Sequence, residues 1–149
     1  MNPQKYKTEK LVPINLPEIC APRALLMDVY RKASEKRCIY IHAPAGSGKT
    51  VSTLLWLRES EYKTIWIGLD AYDNTLAGFY RVFCMALFSA VPHKENLAEL
   101  IKAPEFSASS VEYTIEIISL LSFEDCKYAL VFDDFHLITN KEIIKSLIY

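Results

Sequence analysis

At 149 residues the chain has the length of one ordinary domain, and its 51% hydrophobic content is enough for a real core. The 23% charged residues sum to a net charge of −1, which removes any whole-chain electrostatic argument for nucleic acid or an anionic membrane. Four cysteines, Cys20, Cys38, Cys84 and Cys126, are scattered with no C-x-x-C pair. A zinc site or disulfide framework is therefore not expected, and a reducing cytoplasm is. The polar, lysine-bearing N-terminus predicts no signal peptide, and no apolar run approaches a membrane span.

Residues 1–19 hold Lys5, Lys7, Lys10 and three prolines, Pro3, Pro13 and Pro17, which predicts an extended arm. A short edge strand around Leu11 to Asn15 is compatible with that spacing. Residues 20–149 then read as one partial α/β domain. A helix is expected from Pro22 to about Lys36, with Leu25, Leu26, Val29 and Tyr30 inward and Arg31, Lys32, Glu35 and Lys36 in water. Cys38 to Ile41 is β-branched and aromatic-rich and stops at turn residues, so it reads as a buried strand. Cys38 and Cys84 lie in apolar runs and read as small core residues.

The stretch Ala43-Pro-Ala-Gly-Ser-Gly-Lys-Thr50 follows, and a helical run begins directly after it. Strand, glycine-bearing loop and helix N-terminus together make the P-loop arrangement. A triphosphate is best held by converging backbone N–H groups, which only residues without bulky side chains allow to close around it. Gly46 and Gly48 supply that access, Ser47 lies between them, and the positive end of the helix dipole adds to it. Lys49 is placed to reach the β- and γ-phosphates, and the Thr50 hydroxyl to ligate Mg²⁺. The first glycine of the usual pattern is Ala43 here, a small residue in its place.

Val51, Leu54, Leu55 and Leu57 carry the helix to about Glu59-Ser60-Glu61, with Trp56 as core packing. Thr64 to Gly68 reads as a second buried strand. Asp73 or Asn74 is the expected N-cap of a helix over Thr75 to Ala90 that is apolar on nearly every side and is stopped by Pro92. A short helix is compatible with Glu95 to Ile101. Ser109 or Ser110 caps a further helix through Leu121, with Val111, Ile115, Ile118 and Leu121 as its apolar stripe.

Tyr128-Ala-Leu-Val-Phe-Asp-Asp-Phe-His136 then predicts a buried parallel strand ending in two carboxylates. Ligands of parallel α/β sheets bind at that edge. Asp133 is placed for the Mg²⁺ shell (the Walker B role) and Asp134 to orient or deprotonate an attacking water. An Asp-Asp pair alone is equally a turn or helix cap; after a P-loop it gains weight. A last helix is expected from about Asn140. Among the remaining polar groups, His42 reads as packed, His93 as solvated, and His136 as either a cap or a support for the carboxylates. Asp73 is read as a turn residue, and Asp70 stays open.

These segments resemble the signal-transduction ATPases with numerous domains, in particular the MalT-like branch of LuxR-type transcriptional regulators. The resemblance rests on Ala43 to Thr50, on Trp66-Ile-Gly-Leu-Asp-Ala-Tyr-Asp-Asn74 with Phe79 and Tyr80, and on Leu130-Val-Phe-Asp-Asp-Phe-His136. It implies a three-layer α/β/α P-loop fold, ATP or ADP with Mg²⁺ as cofactors, and slow hydrolysis that resets a switch. It also implies a nucleotide contact for Arg23, in Ala21-Pro-Arg-Ala-Leu-Leu26. Regulators of this type are several times longer and carry sensor and DNA-binding domains. The resemblance therefore implies a segment truncated after the Asp-Asp strand and its following helix, partnered by further domains and without direct DNA binding.

Three functional readings are carried forward. The first is an ATP-binding regulatory switch, an ATPase if its core is complete and weak or inactive as a segment. The second is a small-molecule P-loop kinase, which needs a cationic lid that this chain, with no arginine beyond Arg81, does not offer. The third is a non-catalytic remnant that binds nucleotide weakly or self-associates through its apolar helix.

Overall fold

A computed structural model of the chain describes residues 9–16, 24–94 and 96–148. The chain divides into two compact units, one of Ile14–Tyr62 and one of Met1–Pro13 with Lys63–Tyr149.

The smaller unit is built on two helices, α1 (Ala24–Ala33) and α2 (Lys49–Glu59). α1 buries Met27 and Tyr30, three residues apart on one face, whereas Leu25 and Val29 point to solvent. The expected inward face was thus shifted by part of a turn. Its anchor is Tyr30, whose ring stacks on Trp56 of α2 at 5.3 Å between centroids, and Trp56 in turn meets Tyr62 at 5.8 Å. α2 buries Ser52, Thr53, Leu54 and Leu57 and ends at Ser60, whose N–H and hydroxyl both donate to the Leu57 carbonyl. The segment from Cys38 to Ile41, expected as a buried strand, is irregular, and Cys38 and Tyr40 are exposed. Its composition favours a strand, yet a strand exists only through a neighbour, and none of the described residues pairs with it.

The larger unit holds a parallel pair, β1 (Lys63–Gly68) and β2 (Tyr128–Asp133). The register sets Ile65 opposite Leu130, Ile67 opposite Phe132 and Gly68 opposite Asp133. A parallel pair needs a long crossover. Here it carries α3 (Leu76–Ala90), the single turn α4 (Leu97–Leu100) and α5 (Ser110–Leu120), and α6 (Lys141–Ile148) follows β2. Phe79 and Phe83 of α3 lie against Phe132 of β2, and the core completes with Ile67, Cys84, Phe106, Ile117 and Ile143, all fully buried.

Several expectations change here. The cap of α3 is Thr75, whose hydroxyl accepts from Gly78 N–H, because the Asp73 side chain is engaged with Asp70 and Lys10 and that of Asn74 with Thr139 and Asn140. α5 buries Ser110, Thr114 and Ile117, and leaves Ile115 and Ile118 outside. β2 is half-buried, with Leu130 exposed, because among the described residues it has a strand on one side only. In the arm, no strand forms over Leu11 to Asn15; one bond, from Gly68 N–H to the Lys10 carbonyl at 2.7 Å, ties it to the end of β1. No helix among the described residues is long and apolar enough to cross a membrane.

Candidate functional site

The glycine-bearing loop lies wholly in the smaller unit. Ser47 N–H donates to the Pro44 carbonyl at 3.3 Å, closing a turn in which Gly46 has φ 75° and Gly48 φ 82°. A Cβ at either glycine would meet open space, so these positions need glycine for their left-handed backbone and not for room. Gly48 is the N-cap of α2 and offers no side-chain cap. A helix N-terminus presents N–H donors and the positive end of the helix dipole, the elements used in anion binding. Ser47 Oγ is the buried side-chain polar atom among the described residues that has no hydrogen-bond partner. Such an orphan ordinarily costs about 1–3 kcal/mol. Lys49 folds back over the loop, its Nζ donating to the Ala43 carbonyl at 2.8 Å and the Pro44 carbonyl at 3.1 Å. Thr50, half-buried, follows in the first turn of α2. Ala43, Gly46, Ser47, Gly48, Lys49 and Thr50 thus lie together on one loop and the helix start that follows it, with the Lys49 ammonium over the loop carbonyls.

The carboxylates lie in the larger unit. Asp133 ends β2; its carbonyl accepts from Leu69 N–H at 3.0 Å and its Oδ1 from Asp134 N–H at 3.1 Å. Asp134 has φ 56°, the left-handed region that non-glycine residues avoid. Asp134 is exposed, with His136 Nδ1 at 3.8 Å from its Oδ1. The far side of this turn is held by Asn74. Its Oδ1 accepts from Thr139 and Asn140 N–H, both at 2.9 Å, and its Nδ2 donates to Thr139 Oγ1 at 2.8 Å. The sequence presents Asn74 as a helix cap and as part of the resemblance segment; the signal for this role is an amide side chain in a turn, whose partners lie 65 and 66 residues on.

Asp70 and Asp73 are resolved by the same turn. Asp70 caps the 3-10 turn Ala71–Asp73, accepting from Tyr72 N–H at 2.8 Å, and Asp73 accepts from Asp70 N–H at 2.9 Å. Lys10 Nζ bridges both carboxylates, at 2.8 Å from Asp70 and 2.7 Å from Asp73. Burial of the ammonium works to lower its pKa, but the hydrogen bonds and charges of the two aspartates outweigh it and hold the Lys10 pKa above its ordinary 10.5.

Other candidates separate clearly. Burial pushes the Cys84 thiol up to about 11, against the opposing hydrogen bond with Thr114, so it is an inert core residue as expected. Cys38 is exposed and His42 is exposed, with its ring near Tyr40; neither is packed as the sequence suggested. His93 is exposed and stacks on Phe88 at 4.7 Å. Arg81 donates to the Ile101 carbonyl at 3.0 Å and lies over the Phe106 ring, a structural use of that guanidinium. Arg23 lies outside the described residues. No group of three or more His, Cys, Asp or Glu side chains able to hold a metal occurs among the described residues.

The chain is similar to segments of much longer proteins. The HTH-type transcriptional regulator MalT of Vibrio campbellii is 30% identical over 130 residues, 87% of this chain and 14% of that protein. MalT of Yersinia pestis is 29% identical over 116 residues, 77% of this chain and 13% of that protein. The serine/threonine-protein kinase PknK of Mycobacterium tuberculosis is 26% identical over 129 residues, 84% of this chain and 12% of that protein. No family model matches the chain, and no solved structure does. What the similarity identifies is a distant homologue of one segment shared by two differently named kinds of large protein.

Proposed function

We propose that the chain is the nucleotide-binding part of a regulatory switch, a P-loop module of the three-layer α/β/α class that binds ATP or ADP in a longer, cytoplasmic MalT-like regulator. The observation that carries this reading is the loop itself: two left-handed glycines, an orphaned Ser47 hydroxyl, a helix opening directly after them and a lysine folded over the loop. The similarity to MalT over most of the chain supports the regulatory setting.

In this reading Gly46, Ser47, Gly48 and the first turn of α2 bind the phosphate oxygens through N–H and hydroxyl donors, and Ala43 keeps the loop entry small. Lys49 exchanges its loop carbonyls for phosphate oxygens. Thr50 and Asp133 are the residues that would serve a magnesium ion, which would supply charge neutralisation to the phosphates when bound. Asp134 orients the attacking water, and Arg23 contacts the nucleotide beyond the phosphates. Slow hydrolysis would then reset the switch.

A second reading, the remnant without useful affinity, is favoured by one observation: residues 38–41 before the loop are irregular, so among the described residues no strand leads into it. The kinase reading loses support, since Arg81 is committed to Ile101 and Phe106.

Equilibrium binding of a fluorescent ATP analogue decides between them. The switch reading expects saturable, Mg²⁺-dependent binding that ATP and ADP displace. It also expects Lys49→Ala to weaken that binding by about 10- to 100-fold, the worth of a charged hydrogen bond. Absent binding, or equal binding by the Lys49→Ala chain, would support the remnant instead.

A further inference from the structure

The phosphate loop is followed by a buried chain of hydroxyls that the loop motif does not require. Tyr30 of α1 places its Oη 3.1 Å from Ser52 Oγ and 3.0 Å from Thr53 Oγ1, and all three residues are buried. Ser52 Oγ in turn donates to the Lys49 carbonyl at 2.9 Å. Each hydroxyl owns one proton, which fixes the direction of the chain. Ser52 spends its proton on Lys49, so it accepts from Tyr30. Tyr30 has then spent its own, so Thr53 donates to Tyr30. The sequence Thr53 to Tyr30 to Ser52 to the Lys49 carbonyl runs one way and ends on the first residue of α2.

A buried tyrosine hydroxyl ordinarily finds some partner, and a helical serine often bonds a carbonyl one turn back. What sets this chain apart is its end point, the residue whose side chain covers the loop. The ring of Tyr30 is itself fixed, stacked on Trp56 with an interplanar angle of 11°. Ser52 N–H also closes the first turn on the Gly48 carbonyl at 2.8 Å, so both donors of Ser52 grip the same turn from which Lys49 and Thr50 project.

We infer that Tyr30 is a positioning residue for the phosphate loop, holding the first turn of α2 in register through Ser52 and so aiming Lys49. The inference rests on the nucleotide reading above. Tyr30→Phe keeps the stacked ring and removes only the hydroxyl, which releases Ser52 from its incoming donor and strands Thr53.

The test compares the full chain with Tyr30→Phe, Ser52→Ala, the double variant and Met27→Ala, a buried α1 residue outside the hydroxyl chain. Affinity for Mg·ATP is measured well below every melting midpoint, together with the phosphorus resonances of bound ATP. Each single hydroxyl variant is expected to bind about threefold to tenfold more weakly, with the β- and γ-phosphate resonances displaced. The double variant is expected to be no weaker than either single one, since both cut the same path. Met27→Ala is expected to melt lower yet bind and resonate as wild type. Unchanged affinity in Tyr30→Phe, losses that multiply in the double variant, or an equal loss in Met27→Ala would each overturn the inference while leaving the nucleotide reading intact. A wild-type chain that binds no Mg·ATP would overturn that reading, and the inference with it.

Discussion

Asp134 sits at φ 56°, a backbone region in which an L side chain is strained and a glycine is not. Replacing it with glycine should therefore leave stability unchanged or raise it by up to about 1 kcal/mol, read from denaturant midpoints. In the switch reading the same change abolishes ATP turnover, the usual exchange of stability for function at a working residue. A clear destabilisation by Asp134→Gly would show that the carboxylate has a structural role. Lys10 makes a second residue-scale case. Its ammonium is largely buried between Asp70 and Asp73, so Lys10→Met should cost about 2–3 kcal/mol by leaving two carboxylates without their shared cation. Because the folded chain raises the Lys10 pKa, the stabilisation is complete below its ordinary 10.5 and is lost as pH rises through the higher folded value. Urea midpoints of the wild type and Lys10→Met should thus differ by a constant amount from neutral pH to about 10 and converge above it. The glycine-bearing loop and the helix after it could be read directly from the sequence, because both signals are local. Lys10 was not so legible: a lysine in a proline-bearing arm looks solvated until the fold brings two aspartates, 60 and 63 residues on, to meet it.

Among the elements, α5 shows where periodicity alone misleads. Val111, Ile115, Ile118 and Leu121 keep helical spacing, and Val111 and Leu121 do pack on the core, yet the helix turns Ser110, Thr114 and Ile117 inward and leaves Ile115 and Ile118 outside. Thr114 is accommodated on this close face by two hydrogen bonds, from its hydroxyl to the Ser110 carbonyl at 2.7 Å and with the Cys84 thiol of α3 at 3.4 Å. Ile117→Ala should accordingly cost about 2–5 kcal/mol, the range for a buried isoleucine. Ile115→Ala, at a position 63% exposed, should stay within about 0.5 kcal/mol. Equal costs would return the helix to the stripe read from the sequence. β1 and β2 were found to within a residue, since a continuous apolar run bounded by turn residues has few alternatives at that length. The segment Cys38 to Ile41 carries the same local signal, but pairing is non-local and no composition supplies the neighbour. The cap of α3 moved from Asp73 or Asn74 to Thr75 for a related reason: Asp73 answers Asp70 and Lys10, and Asn74 answers a loop past β2.

For the whole molecule, the two candidate stretches belong to different compact units, the loop to Ile14–Tyr62 and the carboxylates to the unit containing Lys63–Tyr149. Their order along the chain, phosphate loop first and Asp-Asp strand later with strands and helices between, is what made them readable as one constellation. Thermal unfolding with and without saturating Mg·ATP, on the wild type and on Lys49→Ala, tests that directly, because a ligand that binds only folded protein must raise the midpoint by mass action. At a concentration about 100-fold above Kd the midpoint should rise by about 5–10 °C for a chain of this size, and the rise should vanish in Lys49→Ala. A cooperative transition that Mg·ATP leaves unmoved, or moves equally in both proteins, would contradict the assignment of this loop as a nucleotide site.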